Sequence, residues 1–298
     1  MKSKAFIYIA LAVDMLIAIT KFTAAGLTNS SAMFSEGIHS VIDAASQLLL
    51  IWGIVNSKRK ADAQRPFGYG KELYFWSFIV SLIIFLLGGC ISFYEGVTRF
   101  SHPADGGSPV SSYIVIAIAL AFTTVSAWAS FKAFKRKPTD TSFLKAVENS
   151  KDPSTFIILL GDIGDIAGLI IAFAGVYLSY VYHSSWYDAV ASLLIGTVLL
   201  TISALLVREC RSLLMGEPVS KKTIKAIIAI AEADAAVVKV KRSLSTYLAP
   251  EEVVLQLTAV FKKGLTTQQI TNSISSVSNE IQKQFPLIKQ LFIEPVAK

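Results

Sequence analysis

The sequence predicts an α-helical membrane protein: a bundle of six transmembrane helices followed by a small cytoplasmic α+β domain. Three observations carry this expectation. The 298 residues are 53% hydrophobic and 16% charged, whereas a soluble domain is about 45–50% apolar and about 25% charged. The apolar residues gather into runs near the roughly 20 residues a helix needs to cross the hydrocarbon core. The Lys and Arg residues between those runs concentrate in every second connection, as the positive-inside rule expects of a multi-pass protein.

The runs fall at 5–27, 32–55, 73–97, 110–134, 155–180 and 189–207. Lys2 and Lys4 precede the first. Lys58, Arg59, Lys60, Arg65 and Lys71 lie between the second and third, and Lys135, Arg136, Lys137, Lys145 and Lys151 between the fourth and fifth. Arg208 and Arg211 follow the sixth, while connections 28–31, 101–109 and 181–188 hold neither Lys nor Arg. This alternation puts both termini in the cytoplasm, with the cell (inner) membrane as the expected location. It also gives the net charge of +7 a topological meaning and argues against nucleic acid as a partner. Cys90 and Cys210 fall in the third span and at the end of the sixth, so no disulfide framework is implied. The first run exceeds the about 7–15-residue apolar core of a signal peptide and contains Asp14 and Lys21, so it reads as a retained helix.

Composition turns polar after Val207, which divides the chain into a transmembrane domain, 1–207, and a cytoplasmic domain, 208–298. In the second, 221–233 has helical periodicity through Ile224, Ile227, Ile228 and Ala231. Segment 237–248 reads as a strand with alternating Val238 and Val240, and 253–261 as a second with Val253, Leu255, Leu257 and Ala259 on one face. Segment 266–285 is helical with Ile270, Ile274, Val277 and Ile281 as its buried stripe, and 288–293 closes as a strand. The order αββαβ suits a small sheet with helices on one face. So small a core gains from a partner subunit. Two loops are long, 56–71 and 134–153, and the first contains the turn-forming Arg65-Pro-Phe-Gly-Tyr-Gly-Lys71.

Ionisable groups inside the apolar runs are the chemical clue. Each costs about 2.5–3.5 kcal/mol on insertion scales and is kept where it faces a partner, water or an ion. His39 and Asp43 are four residues apart, and Asp162 and Asp165 three apart, so each pair shares one helix face. If the two faces meet, they offer one imidazole and three carboxylates. That set suits tetrahedral Zn²⁺ and also Mn²⁺, Fe²⁺ or Co²⁺. A divalent cation offsets the clustered charge; without it some of the groups hold protons, which metal binding expels. Such an exchange is the physical basis of a metal/proton antiport, in which the metal is substrate and no cofactor is needed. Asp14 also sits deep, either supporting the ligands or on a proton path, whereas Glu36 and Glu95 lie near outer ends within reach of water.

Plainer readings stand beside this one. His39 hydrogen-bonds a neighbouring helix, Asp43 pairs with Lys21 or caps a broken helix, or only one of Asp162 and Asp165 touches metal. Gly161, Gly164 and Gly168 serve close helix packing. No phosphate-binding G-x-x-x-x-G-K-[ST] loop is present, and no Ser–His–Asp or Cys–His arrangement stands out. An ATP-driven pump and an enzyme are therefore not expected. His102 and His183 lie in outer loops.

The segment Ser31-Ala-Met-Phe-Ser-Glu-Gly-Ile-His-Ser-Val-Ile-Asp43 resembles the second-span signature of the cation diffusion facilitator family of divalent-metal transporters. Arg65-Pro-Phe-Gly-Tyr-Gly-Lys-Glu-Leu-Tyr-Phe-Trp76 is similar to that family's lead into its third span. The resemblance implies His39 and Asp43 as metal ligands, a homodimer, exchange of metal against protons, and a metallochaperone-like (ferredoxin-like) carboxy-terminal domain. It also exposes departures. Gly161 stands where the family's fifth-span His is expected, Asp165 matches the Asp of that motif, and Asp162 is additional. This pattern resembles the solute carrier 30 member 9-like subgroup. Tyr69 replaces a loop His of some bacterial members, and no His follows residue 183, so the accessory and cytoplasmic zinc clusters are not expected. Lys71 resembles an interlocking lysine whose acidic partner would fall near Met215 or Glu217. The runner-up reading is a membrane scaffold or regulator with a vestigial site.

Overall fold

Inside lipid every backbone N–H and C=O must be satisfied within the protein, so apolar runs of this length become helices. The computed structural model describes residues 5–28, 31–101, 109–134 and 150–296. Its helical unit contains α1 (Ala5–Thr28), α2 (Ser31–Ser57), α3 (Glu72–Ile83), α4 (Ile91–Ser101), α5 (Pro109–Phe134), α6 (Pro153–Tyr182) and α7 (Trp186–Met215). A π-helical segment, Ile84–Cys90, joins α3 to α4 without a break. Among the described residues, five segments are long and apolar enough to cross a membrane: Ser40–Ser57, Glu72–Thr98, Tyr113–Phe134, Pro153–Tyr182 and Trp186–Met215. The run expected at 5–27 forms α1, whose described apolar stretch is the shorter Leu11–Thr20.

Local chemistry sets the ends of these helices. Pro153 opens α6, where its missing N–H removes no helical bond. His183 closes α6 with φ 49°, its N–H donating to the Ser179 carbonyl, and the His183 ring lies against Tyr180. Helix α7 runs past the expected Val207 to Met215, because the helix does not stop where hydropathy falls. Small residues let backbones meet. A Cβ on Gly196 would lie 2.5 Å from Phe93 Cα, and one on Gly96 2.7 Å from Leu193 Cα. Neither glycine admits a side chain without moving the α4–α7 pair. In the same unit α1 packs on α2 and α5, α2 on α3, and α6 on α3 and α5.

The contacts divide the chain into Met1–Lys58 with Glu72–Arg211, and Arg59–Lys71 with Ser212–Lys298. The second unit contains α8 (Lys221–Ala233), β1 (Val237–Ala249), β2 (Glu252–Phe261), α9 (Thr267–Gln284) and β3 (Ile288–Val296). The sheet order is β1-β2-β3, with β1 antiparallel and β3 parallel to β2. Ser220 accepts from the Thr223 N–H to cap α8, and Thr266 with Gln269 forms a reciprocal capping box at α9. Ile227, Leu255, Leu257, Val277 and Ile281 are buried at the centre of the core.

Strand β2 buries Val253, Leu255, Leu257 and Ala259 on one face, as its alternation predicts. Strand β1 departs from the simple pattern. Val237 and Val240 are buried while Val238 is exposed. Register shifts between Val237 and Lys239 and between Val240 and Arg242 explain it, since each bulge breaks the two-residue period.

The Arg59–Lys71 loop belongs with this unit. Asp62 accepts from the Gln64 and Arg65 amides at 3.0 and 2.8 Å and from the Tyr69 hydroxyl at 2.7 Å. The Arg59 and Arg65 guanidiniums lie 4.4 and 4.9 Å from the Tyr69 ring centre. A Cβ on Gly70 would sit 2.8 Å from the Leu248 carbonyl oxygen, so the loop reaches the end of β1 through a bare backbone. Tyr69, the residue that replaces a loop His of the resembled family, is therefore the post around which the loop folds.

Candidate metal site in the helical unit

Helix α2 carries Asp43, Ser46 and Gln47, α6 carries Asp162 and Asp165, and α1 carries Asp14. All six line one cavity of about 80 Å³ within the helical unit. Residues three and four apart share a helix face, so the sequence itself aligned Asp43 with Ser46 and Gln47, and Asp162 with Asp165. Packing of α1 on α2 brings the third wall into place. Gly88 of the π-helical segment and Gly161 of α6 also border the space. π-Helical segments of this kind recur at functional sites.

Asp162 is the most enclosed of the four carboxylates, at 8% exposure. Its Oδ2 accepts from Ser126 Oγ at 3.1 Å and from Ser130 Oγ at 3.0 Å, both on α5. Ser130 has one proton, and it also lies 2.9 Å from the Ser126 carbonyl, so its proton is shared. The Asp43 carboxylate is close enough for its charge to act on Asp162. Asp43 and Asp165 are themselves half-buried. Asp14 Oδ2 accepts from the Gln47 side-chain amide.

Asp14, Asp43, Asp162 and Asp165 thus share one space. Among the described residues no three His, Cys, Asp or Glu side chains stand close enough to hold a metal ion. Like charges repel strongly at low dielectric, and the two serines turn Asp162 toward α5. The side chain of His39 lies outside the described residues, as do those of Lys21, Glu36 and Glu95 and the whole of His102.

Four polar residues escaped the reading of the sequence: Ser46 and Gln47, which line the cavity, and Ser126 and Ser130, which hold Asp162. Two signals for them were present. Ser126 and Ser130 are spaced i, i+4 in an apolar run, and Gln47 continues the stripe His39, Asp43 by one further turn. Gly161 is informative for what surrounds it. A Cβ built there finds no heavy atom within 4 Å, so the position opens onto space.

Long apolar helices define an integral membrane protein, and a cavity walled by carboxylates lies among them. The cation efflux transmembrane domain matches residues 7–215, and the chain belongs to that family, whose members are transporters and not enzymes. It is 32% identical over 233 residues to the human protein named proton-coupled zinc antiporter SLC30A9, mitochondrial, covering 78% of this chain and 41% of that protein. It is 25% identical over 226 residues to metal tolerance protein C4 of Arabidopsis thaliana, covering 75% and 50%. It is 24% identical over 294 residues to manganese efflux system protein MneP of Bacillus subtilis, covering 96% and 93%. The chain spans about half or less of the length of the SLC30A9 relatives it matches.

Proposed function

We propose that the chain is a secondary transporter that moves divalent metal cations, Zn²⁺ first, out of the cytoplasm in exchange for protons. The observation that carries this reading is the cavity walled by Asp14, Asp43, Asp162 and Asp165 inside the helical unit. Asp43 and Asp165 act as metal ligands together with His39, and Asp162 supplies a further carboxylate oxygen beside the open position at Gly161. Metal entering the cavity displaces protons from these groups, and protons entering displace metal. Exposure of the cavity to one side and then the other converts that exchange into transport. The membrane domain 1–207 has six spans with both termini cytoplasmic, in the cell (inner) membrane. The domain 208–298 is the αββαβ dimerisation and regulatory part of a homodimer.

A second reading, Mn²⁺ as cargo, has its own support. The described polar side chains around the cavity are carboxylates, a hydroxyl and an amide, which suit hard cations. One long-matching relative is named a manganese efflux protein. Flux of Zn²⁺, Mn²⁺, Fe²⁺ and Co²⁺ into proteoliposomes, with and without a pH gradient, decides between them. The proposal expects gradient-driven flux that Asp43→Ala abolishes. Flux indifferent to the gradient, or intact in Asp43→Ala, would sink it, and a scaffold would move no metal at all.

A further inference from the structure

Three polar groups of this cavity have no part in the ligand set above: Asp14, Ser46 and Gln47. The Gln47 amide nitrogen donates to Asp14, which turns Gln47 Oε1 away from it. Among the described residues, buried Oε1 finds no hydrogen-bond partner, and neither does the hydroxyl of Ser46, which is 3% exposed. A buried polar atom without a partner costs about 1–3 kcal/mol, and native proteins keep few. Here two occur on neighbouring residues, and both residues border the same space. Such a pair marks a place that something polar fills.

Size and chemistry say what. A cavity needs about 10–15 Å³ to hold one water. At about 80 Å³ this one has room for a cation with several of its waters. Its walls offer oxygen atoms that a cation can take in exchange for them. Asp14, Ser46 Oγ and Gln47 Oε1 are an oxygen-only set, which suits a hard divalent cation still carrying water. Gln47 lies one helical turn, about 6 Å, beyond Asp43 along α2, toward the end that runs into the Arg59–Lys71 loop.

We infer that Asp14, Ser46 and Gln47 form a dehydration subsite, where a partly hydrated divalent cation trades water for protein oxygens before it reaches Asp43, Asp162 and Asp165. This rests on the transport reading above. Asp14 supplies the charge that holds the ion, and its bond to Gln47 aims the amide oxygen into the cavity. Ser46 and Gln47 act before the ligands, so they govern how readily the ion arrives more than how tightly it is finally held.

Two measurements on the full chain test this. In proteoliposomes, Ser46→Ala/Gln47→Leu is expected to raise KM for Zn²⁺ about tenfold, with a smaller fall in maximal rate and recovery in Ser46→Thr/Gln47. A KM within about twofold of the native value overturns the inference, as does a fall in maximal rate alone. The second measurement does not depend on transport. With Asp43→Asn, Asp162→Asn and Asp165→Asn combined, equilibrium dialysis with Mn²⁺ alone should reveal a residual weak site that vanishes when Asp14→Asn is added. No residual site, or one indifferent to Asp14→Asn, refutes the subsite. If the native chain moves no divalent cation, the transport reading fails by itself, and the dialysis still decides whether the subsite exists. Loss of proton coupling in Asp14→Asn with Mn²⁺ binding unchanged makes Asp14 a proton carrier and overturns the inference as well.

Discussion

The two serines behind Asp162 offer a sharp test of how the site is built. Both donate to Oδ2, at 3.1 and 3.0 Å, which leaves Oδ1 for an incoming cation. A hydrogen bond to a charged acceptor contributes about 1.5–3 kcal/mol. Ser126 commits its proton to Asp162 while Ser130 shares its own with a backbone carbonyl, so the pair is worth less than two full bonds. Removing groups that orient a metal ligand typically lowers affinity about 10–100-fold, or about 1.4–2.7 kcal/mol. Ser126→Ala/Ser130→Ala should therefore weaken metal binding by about that factor, read by calorimetry on purified, folded protein. Ser126→Thr/Ser130→Thr keeps both hydroxyls and should recover most of the affinity. An unchanged affinity in the alanine pair, alongside a loss in Asp162→Asn, would refute the idea that the serines aim the carboxylate.

Two further outcomes follow from other parts of the chain. At Gly161 a Cβ meets nothing within 4 Å, so Gly161→His should fold normally and place an imidazole one turn before Asp165. It should raise affinity for Zn²⁺ relative to Mn²⁺ by about tenfold or more, since imidazole favours Zn²⁺; an unchanged ratio in parallel calorimetric titrations would show that position 161 does not face the ion. In the Arg59–Lys71 loop, the Tyr69 hydroxyl and then the Arg65 amide hold the Asp62 carboxyl below its ordinary value, and the same bond to Asp62 raises Tyr69. The Asp62 contribution is present above the ordinary Asp range, about pH 4, and is lost as pH falls through the lowered value. The Tyr69 contribution is present below about pH 10 and is lost as pH rises through the raised one. Hydrogen exchange at the Gln64 and Arg65 amides should stay slow between these limits, and Tyr69→Phe should speed it. Equal protection in the variant would mean that the bond does not organise the loop.

Local periodicity explains why some elements are legible in the sequence. Ile227 and Ala231 on α8, and Val277 and Ile281 on α9, are buried where a 3.6-residue repeat puts them. The alternation of β2 survives because its ladder with β1 is regular across Val253 to Leu257. The bulges of β1 are not legible, because a bulge depends on the partner strand and leaves no repeat of its own. The same holds for Tyr69 and Gly70. Their sequence reads as a turn, and only the close approach of Gly70 to Leu248 makes that turn part of the second unit.

The site divides in the same way. The sequence by itself determined which carboxylates share a helix face, because i, i+3 and i, i+4 spacing is a property of one helix. It also determined that these groups need a purpose, because ionisable groups in apolar runs are costly. Only the tertiary structure decided which faces meet. Asp43, Asp162, Asp165 and Asp14 come from three helices, and they share a cavity because α1 packs on α2 and α5 while α6 packs on α3 and α5. That Asp162 rests on Ser126 and Ser130, and that Asp14 is tied to Gln47, depends on residues more than 30 positions apart. No local rule links residues at that separation. They meet because helix packing in a membrane is set by the fit of small and polar side chains on opposing faces.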